Sequence, residues 1–172
     1  QAELNHAKAA LTIQATQDAL TGLHNRGAIM ASLEQEMARA RRREHSLCVG
    51  LCDIDHFKQI NDSHGHLAGD AVLREVAQRI KGALRPFDQI GRYGGEEFII
   101  LAEATRDQAP RLFERIGGVL DKTPVVFEQT SLAVTISCGV TLLTPPEDQR
   151  DGVALLAAAD AAMYEAKDAG RN

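Results

Sequence analysis

Apolar side chains recur every three to four residues in several segments of the chain, a spacing that predicts amphipathic helices. This spacing, together with the Ala-rich composition near the C-terminus, predicts four helices, over residues 26–43, 71–84, 106–122 and 152–170. Residues 1–17 contain no Gly or Pro and predict a fifth helix, in which Leu4 and Leu11 lie one heptad apart. Two interpretations of this first helix stay open. It either packs on its own domain or ends a longer signalling helix, and we favour the second.

Short apolar runs predict the strands. Residues 47–54 are almost entirely apolar, which is typical of a central strand that is buried on both faces. Residues 90–103 predict a hairpin with a two-residue turn at Gly94–Gly95, because paired glycines supply the positive φ angles of such a turn. Two further strands are predicted, at residues 124–130 and 132–143. The resulting order, roughly αα-β-α-α-β-β-α-β-β-α, places one further helix between the central strand and residues 71–84 and predicts an α+β fold with a mixed sheet.

The composition indicates one folded domain and excludes several classes of function. The 172 residues carry 19 Lys and Arg against 24 Asp and Glu, a net charge of -5, and 44% are hydrophobic. This apolar content excludes disorder as the main state. The acidic balance argues against a nucleic-acid partner, which normally binds a basic surface. No segment approaches the roughly 20 apolar residues of a membrane span, and no signal peptide opens the chain.

The cysteines favour a reducing compartment. Cys48, Cys52 and Cys138 fit neither a disulfide framework nor a four-ligand zinc site, so we expect them to be unpaired. Cys48 and Cys52 share one face of the apolar strand and are interpreted as small buried hydrophobic residues. We therefore expect a cytoplasmic domain, while membrane attachment of a longer parent protein stays open.

Acidic residues follow two of the predicted strands. Asp53 and Asp55 stand at the end of the central strand, and Glu96 and Glu97 follow the hairpin turn. Brought together without a cation, these carboxylates would repel one another. Oxygen-only ligands of this kind suit Mg²⁺, and we expect only one of the two aspartates to bind it. The alternative is that strand-end acids are merely solvated or cap the next helix.

The polar segment after the central strand holds a second group of candidates. Lys58 can neutralise phosphate charge, while Asn61 and Asp70 can form paired hydrogen bonds with a base edge. The segment lacks the glycine and lysine spacing of a P-loop, and no serine occupies a nucleophile elbow. These absences exclude two common kinds of hydrolase site.

Four motifs in order carry a family resemblance: DALTGLHNR, DIDHFKQINDSHGHLAGD, RYGGEEF and DAAMYEAKDAGRN. Together they resemble the GGDEF family, the diguanylate cyclases, over residues 18–172. The resemblance implies a five-stranded, largely antiparallel sheet surrounded by helices, related to nucleotidyl cyclases and polymerase palm domains. Residues 1–17 then form a helical signalling linker from an upstream sensor or receiver domain.

The resemblance also implies a reaction and its partners. Family members condense two GTP molecules into cyclic di-GMP and release two pyrophosphates, with one GTP bound to each domain of a homodimer. The implied metal is Mg²⁺, which Mn²⁺ can replace. By similarity Asp53, the carbonyl of Ile54 and Glu96 hold the metal, and Glu96 is also the proposed base. Glu97 and Lys58 complete the implied catalytic set.

The remaining implied residues bind nucleotides. The implied substrate ligands are Phe57, Asn61, His66, Asp70, Gly94, Gly95, Lys167 and Arg171. Arg85 and Asp88 match the family's RxxD inhibitory site, where the product binds, and Arg115 matches a second arginine that the family uses from a neighbouring domain. Two rival hypotheses stay open: a catalytically inactive cyclic di-GMP receptor, and a purely structural dimerisation module built on residues 1–17.

Overall fold

The computed structural model describes residues 1–170, except for the side chains of residues 3, 6, 9 and 10. Arg171, an expected phosphate ligand, lies outside the described residues. The helices are α1 (Ala2–Thr16), α2 (Arg26–Arg43), α3 (Phe57–His64), α4 (His66–Ala83), α5 (Gln108–Asp121) and α6 (Gly152–Asp168). The strands are β1 (Leu47–Ile54), β2 (Gln89–Arg92), β3 (Glu97–Glu103), β4 (Val125–Phe127), β5 (Thr130–Leu132) and β6 (Ile136–Leu143).

The main sheet has the order β2-β3-β1-β6, and all its neighbouring strands are antiparallel. Every residue of β1 is buried, which confirms its prediction as a central strand. The predicted α+β class is also confirmed, but this sheet has four strands instead of five. Strands β4 and β5 pair only with each other. Each has three residues, and Glu128 turns between them with a φ of 53°, so they form a separate short hairpin.

Strand β1 divides the hydrophobic core into two layers. Its odd-numbered apolar residues, from Leu47 to Leu51, pack with α2 and α6, whereas its even-numbered ones, from Cys48 to Ile54, pack with α4 and α5. This division follows from the strand pleat, which points successive side chains to opposite faces. Helices therefore cover both faces of the sheet, and the ends of its strands remain available for a functional site.

The expectation of three unpaired cysteines is wrong. Cys52 and Cys138 occupy directly opposed positions of β1 and β6 and form a disulfide across a sequence separation of 86. Only the strand register makes them neighbours, so spacing along the chain could not reveal the pair. Cys48 is free and buried, as predicted, and burial, with a smaller contribution from the Asp88 charge, raises the pKa of its thiol to about 12. The disulfide removes the argument for a reducing compartment.

Two local predictions also need correction. Helix α4 begins at His66 rather than at residue 71, directly after Gly65, whose φ is 87°. The β2–β3 hairpin closes through four residues, 93–96, and neither Gly94 nor Gly95 takes a positive φ. A longer loop can be closed without left-handed residues, so the glycine pair does not indicate a two-residue turn here.

Helix α1 contributes little to the core. Leu4 and Leu11 are each 64% exposed, and Ile13 is 52% exposed. These side chains leave an apolar surface on the helix that the rest of the described chain does not cover. Among the described residues, no helix is both long enough and apolar enough to cross a membrane.

Candidate active site

The acidic end of the main sheet is formed by Asp53, Glu96 and Glu97. Asp53 lies opposite Glu97 in the pairing of β1 with β3. Next to this pair, the Ile54 backbone N–H donates to the carbonyl oxygen of Glu96 at 3.2 Å. The two acidic segments singled out in the sequence therefore meet at one end of the sheet, because antiparallel pairing places the end of β1 beside the start of β3.

The carboxylates of the acidic end repel one another. Burial, followed by the charges of Asp53, Glu96 and Asp160, raises the pKa of Glu97, and the Lys167 ammonium partly offsets this. A raised carboxyl pKa means that the charged form is disfavoured where it stands. A cation at this end would relieve the repulsion, and that is the electrostatic condition for a metal site.

Lys167 reaches the acidic end from α6. Its Nζ lies 2.7 Å from Asp53 Oδ1, across 114 residues of sequence, and both side chains are largely buried. Helix α6 lies very close to β6 at Gly139, where a Cβ would collide with the backbone of Ala159 and Met163. This close approach brings Lys167 to the strand end. Lys167, which is expected to bind the terminal phosphates, thus forms an ion pair with Asp53, an expected metal ligand.

Helix α3 starts directly after the acidic end. His56 takes a left-handed φ of 56° and lets the chain turn from β1 into α3, so that Phe57 and Lys58 occupy the first turn of this helix. The first backbone N–H groups of a helix have no partner within it and can bind an anion. The Lys58 side chain is exposed, and no side chain of α3 is fully buried. This lack of a buried face explains why no apolar periodicity revealed α3.

The expected base-binding residues lie where α3 packs on α4. The Asn61 side chain lies against Gly69, where a Cβ would collide with Asn61 Oδ1, and Asp70 is the next residue. Glycine at position 69 is therefore needed for this close packing. The structure brings Asn61 and Asp70 together, whereas His66 is exposed at the start of α4.

The loop at residues 93–96 is held by an arginine that the sequence analysis missed. Arg92 donates to the Gly95 carbonyl oxygen at 2.8 and 3.1 Å and forms an ion pair with Asp18 at 3.2 Å. Within the loop, a Cβ at Gly94 would collide with the Glu97 carboxylate, whereas Gly95 faces open space. A side chain at position 94 would therefore displace the Glu97 carboxylate from its place at the acidic end.

A basic cleft lies at the opposite end of the sheet, with a volume of about 220 Å³, and Arg85, Asp88, Arg111 and Arg115 are among its lining residues. The Arg85 backbone N–H donates to Asp88 Oδ2 at 2.9 Å, and the Asp88 N–H donates to the Arg85 carbonyl oxygen at 3.1 Å. These bonds fold the RxxD segment into a turn. Arg115, which the resemblance assigns to a neighbouring domain, lines the same cleft and donates from Nε to the Ala83 carbonyl oxygen at 2.9 Å.

The donor set of the acidic end suits Mg²⁺ better than a transition metal. Among the side chains that the structure describes, no group of three or more His, Cys, Asp or Glu residues is arranged to hold a metal. The implied ligands are instead two carboxylates and the Ile54 carbonyl. Magnesium commonly binds one or two carboxylates and keeps water and phosphate oxygens as its other ligands. The residues present therefore fit this metal.

Three charged residues near the sites escaped the sequence analysis, two of them despite a signal in the helical periodicity. Asp160 precedes Lys167 by seven residues, or about two helical turns, so helical periodicity could have placed both on one face of α6. Arg111 lies one turn before Arg115 in α5, and the same periodicity applies. Arg92 gave no such signal, because its partners become neighbours only in the folded chain.

Comparison with known proteins shows similarity over nearly the whole chain. Residues 15–172 match the family described as "Diguanylate cyclase, GGDEF domain". The chain is 45% identical over 160 residues to the diguanylate cyclase DgcP of Pseudomonas aeruginosa, covering 92% of this chain and 23% of DgcP. It is 38% identical over 170 residues to the cyclic di-GMP phosphodiesterase NbdA of the same organism, covering 99% of this chain and 22% of NbdA.

A solved structure gives the same result. The coiled coil and GGDEF domain of DgcB from Caulobacter crescentus, in complex with c-di-GMP, superposes with a TM-score of 0.90 at 31% identity. The superposition covers 98% of this chain and 89% of that one. The resemblance drawn from the four sequence motifs is confirmed. The chain spans less than a quarter of the length of DgcP and of NbdA.

Proposed function

The chain belongs to the GGDEF family of diguanylate cyclase domains, and we propose that it condenses two GTP molecules into cyclic di-GMP with release of two pyrophosphates. The observation that carries this proposal is the acidic end, where Asp53 and Glu96 lie on adjacent strand ends beside the first turn of α3. An inactive relative that only binds nucleotide has no need for repelling carboxylates beside an exposed lysine.

The proposed metal ligands are Asp53, the Ile54 carbonyl and Glu96. A bound Mg²⁺, or Mn²⁺ in its place, would supply positive charge that orients the triphosphate and offsets the negative charge of the leaving pyrophosphate. Burial and then the charges of Asp53, Glu96 and Asp160 raise the pKa of Glu97. The contribution of these charges supports the proposal, because a cation would offset it. Glu97 contributes to this field from the strand position opposite Asp53.

The proposed substrate contacts follow from the surrounding helices. The Phe57 N–H and the Lys58 ammonium bind phosphate oxygens at the start of α3, and Asn61 and Asp70 hydrogen-bond the guanine edge. Lys167 binds the terminal phosphates, so it must exchange its contact with Asp53 for one with the nucleotide. Four further contacts are proposed from the family resemblance, at His66, Gly94, Gly95 and Arg171.

Each bond-forming step joins nucleotides from two copies of the chain. The 3′-oxygen of one GTP attacks the α-phosphorus of the other, and the bond from that phosphorus to the bridging oxygen of the pyrophosphate breaks. The proton of the 3′-hydroxyl passes to the Glu96 carboxylate, and pyrophosphate leaves. Two such steps close the ring, so catalysis requires a homodimer. The exposed Leu4, Leu11 and Ile13 of α1 support pairing through this helix.

The basic cleft is proposed to bind the product and inhibit the enzyme. Arg85 and Arg115 offer guanidinium groups to phosphates and guanine, and Asp88 accepts from guanine N–H groups. The cleft lies at the far end of the sheet from the acidic end, so product can occupy it while substrate is bound. An upstream sensor or receiver domain is proposed as well, since DgcP and NbdA are several times longer than this chain.

The test incubates the purified chain with GTP and Mg²⁺, measures pyrophosphate release and identifies the nucleotide product. We expect cyclic di-GMP, formed at a rate that rises faster than linearly with protein concentration because two copies must meet. A chain dimerised through a coiled coil fused before α1 serves as the positive control. If this forced dimer binds cyclic di-GMP but forms none, the chain is a receptor and the proposed activity is refuted.

A further inference from the structure

Asp55 is a buried carboxylate that the proposed reaction does not use. It is 4% exposed, and its two oxygens accept hydrogen bonds from hydroxyl groups of the neighbouring segment. Thr135 Oγ1 donates to Oδ2, and Ser137 Oγ donates to Oδ1, each at 2.7 Å. Burying a carboxylate is costly unless it is hydrogen-bonded, so an acid kept at this position with two dedicated donors requires an explanation.

The bonds of Asp55 fasten the end of β1 to the start of β6. In addition to the two side-chain bonds, the Asp55 backbone N–H donates to the Thr135 carbonyl oxygen at 2.9 Å. Ser137 is fully buried and lies opposite Asp53 in the strand pairing. Three hydrogen bonds thus hold Asp55 directly after β1, where the regular hydrogen bonds of the strand pairing end.

The residues on either side of Asp55 are the ones that the reaction needs in place. The Ile54 carbonyl, a proposed metal ligand, comes directly before it, and the Phe57 N–H, a proposed phosphate donor, follows two residues later. Between them His56 holds a left-handed φ of 56°. That conformation is strained for a non-glycine residue, so the turn needs support from outside.

We propose that Asp55 is a positioning residue, which holds the turn between β1 and α3 so that the Ile54 carbonyl and the Phe57 N–H point to the same bound nucleotide. This inference rests on the proposed function, because it assigns the two backbone groups to metal and phosphate. Asp55 acts through its hydrogen bonds to Thr135 and Ser137 and does not contact the substrate. The strand-end acids therefore have two different tasks.

The test compares Asp55→Asn with Asp148→Asn. The first change keeps the size of the side chain but removes its charge and one acceptor. The second removes a similarly hydrogen-bonded carboxylate, paired with Arg150 at 2.6 Å in the segment before α6. Binding of Mn²⁺ alone is measured by electron paramagnetic resonance, kcat and KM are measured with GTP, and the melting temperature is recorded for each protein.

We expect Asp55→Asn to lower both Mn²⁺ affinity and kcat by about 10- to 100-fold, the usual loss when a group supporting a metal ligand is removed. The KM for GTP should rise by a smaller factor than kcat falls, because Asn61 and Asp70, the proposed guanine contacts, are untouched. Asp148→Asn should leave Mn²⁺ affinity and kcat at wild-type values. A purely structural role would lower the melting temperature of Asp55→Asn and leave its Mn²⁺ affinity unchanged, and that result overturns the proposal.

Two further measurements keep the outcomes distinct. If Asp55→Asn does not fold, Ser137→Ala removes one donor and keeps the carboxylate, and wild-type Mn²⁺ affinity in this variant overturns the proposal. If the wild-type chain binds Mn²⁺ but makes no cyclic di-GMP, the proposed reaction fails. A loss of Mn²⁺ affinity in Asp55→Asn then still supports the positioning role.

Discussion

The two ends of the main sheet carry opposite charge. At the acidic end, Asp53, Glu96 and Glu97 crowd carboxylates into a partly buried corner, which raises the pKa of Glu97. At the other end, the basic cleft gathers arginines on an exposed turn and on α5. The seven residues of β3 separate the two ends by about 20 Å. A cation would relieve the repulsion at the acidic end, whereas the basic cleft offers positive charge to an anion.

Under the proposed function, one sheet holds a reaction site at its acidic end and a control site at its basic end. Both ends share β3, so a ligand that stiffens one end can influence the other through the strand. Under the same proposal, their charges select different partners: a metal with its triphosphate at the acidic end and the phosphates of the product at the basic cleft. Variants at each end should therefore affect different measurements.

The largest effect is expected at the acidic end. Replacing Glu96 by Gln removes a proposed metal ligand and the proposed base, so kcat should fall by about 10²- to 10⁴-fold. The initial rate of pyrophosphate release measures this. The matched control is Glu103→Gln, at the other end of the same strand, which should keep the wild-type rate. Comparable activity in both variants would refute the catalytic assignment of the acidic end.

The next effect tests the lysine that lies among the acids. Lys167→Gln should raise the KM for GTP by about 10- to 100-fold, because a charge-assisted contact with phosphate is lost. Binding of Mn²⁺ alone should be unchanged or tighter, since Lys167 no longer competes for Asp53. Weaker Mn²⁺ binding would show that the lysine organises the metal ligands instead. Lys122→Gln, at the end of α5, is the control for the loss of a positive charge.

At the basic cleft, Arg85→Ala should leave the initial rate unchanged and raise the product concentration that inhibits by about 10-fold or more. The measurement is the rate as a function of added cyclic di-GMP. Arg74→Ala, an exposed arginine of α4 outside this cleft, should inhibit like the wild type. Unchanged inhibition in Arg85→Ala would remove the cleft from the control of this enzyme.

The smallest effect concerns stability and pH. Because the folded chain holds the Glu97 proton more tightly than the unfolded chain does, the free energy of unfolding falls as the pH rises from about the ordinary pKa of 4.5 through the higher folded pKa. Glu97→Gln removes this loss, so without metal at pH 7 its melting temperature should exceed that of the wild type by about 2 °C.

This difference should disappear near pH 4, where Glu97 is protonated in both states, and it should shrink when Mg²⁺ is added. Thermal unfolding at several pH values measures both trends. Glu103→Gln again serves as the control, because its carboxylate is exposed and lies beside His45 at 3.6 Å. An equal gain in both variants would mean that the repulsion is not specific to the acidic end.

The order of residues along the chain was enough to predict the helices with clear apolar periodicity, the buried central strand and the family. These features are local, since burial leaves its mark on every second or every third to fourth residue of a segment. The acids at the strand ends were also visible in the sequence, because a carboxylate directly after a buried strand stands out. The family motifs then supplied the expected roles, and comparison with known proteins confirmed the family.

Contacts between residues distant in the sequence became visible in the folded chain alone. Lys167 pairs with Asp53 across 114 residues, Ser137 pairs with Asp55 across 82, and Cys52 joins Cys138 across 86. Each pair depends on strand register and helix packing, which are set by the whole chain at once. The pattern of apolar positions within a segment indicates that a residue is buried, but it does not indicate which residues that side chain contacts in the folded chain. The chemistry of this site therefore follows from contacts that no single motif contains.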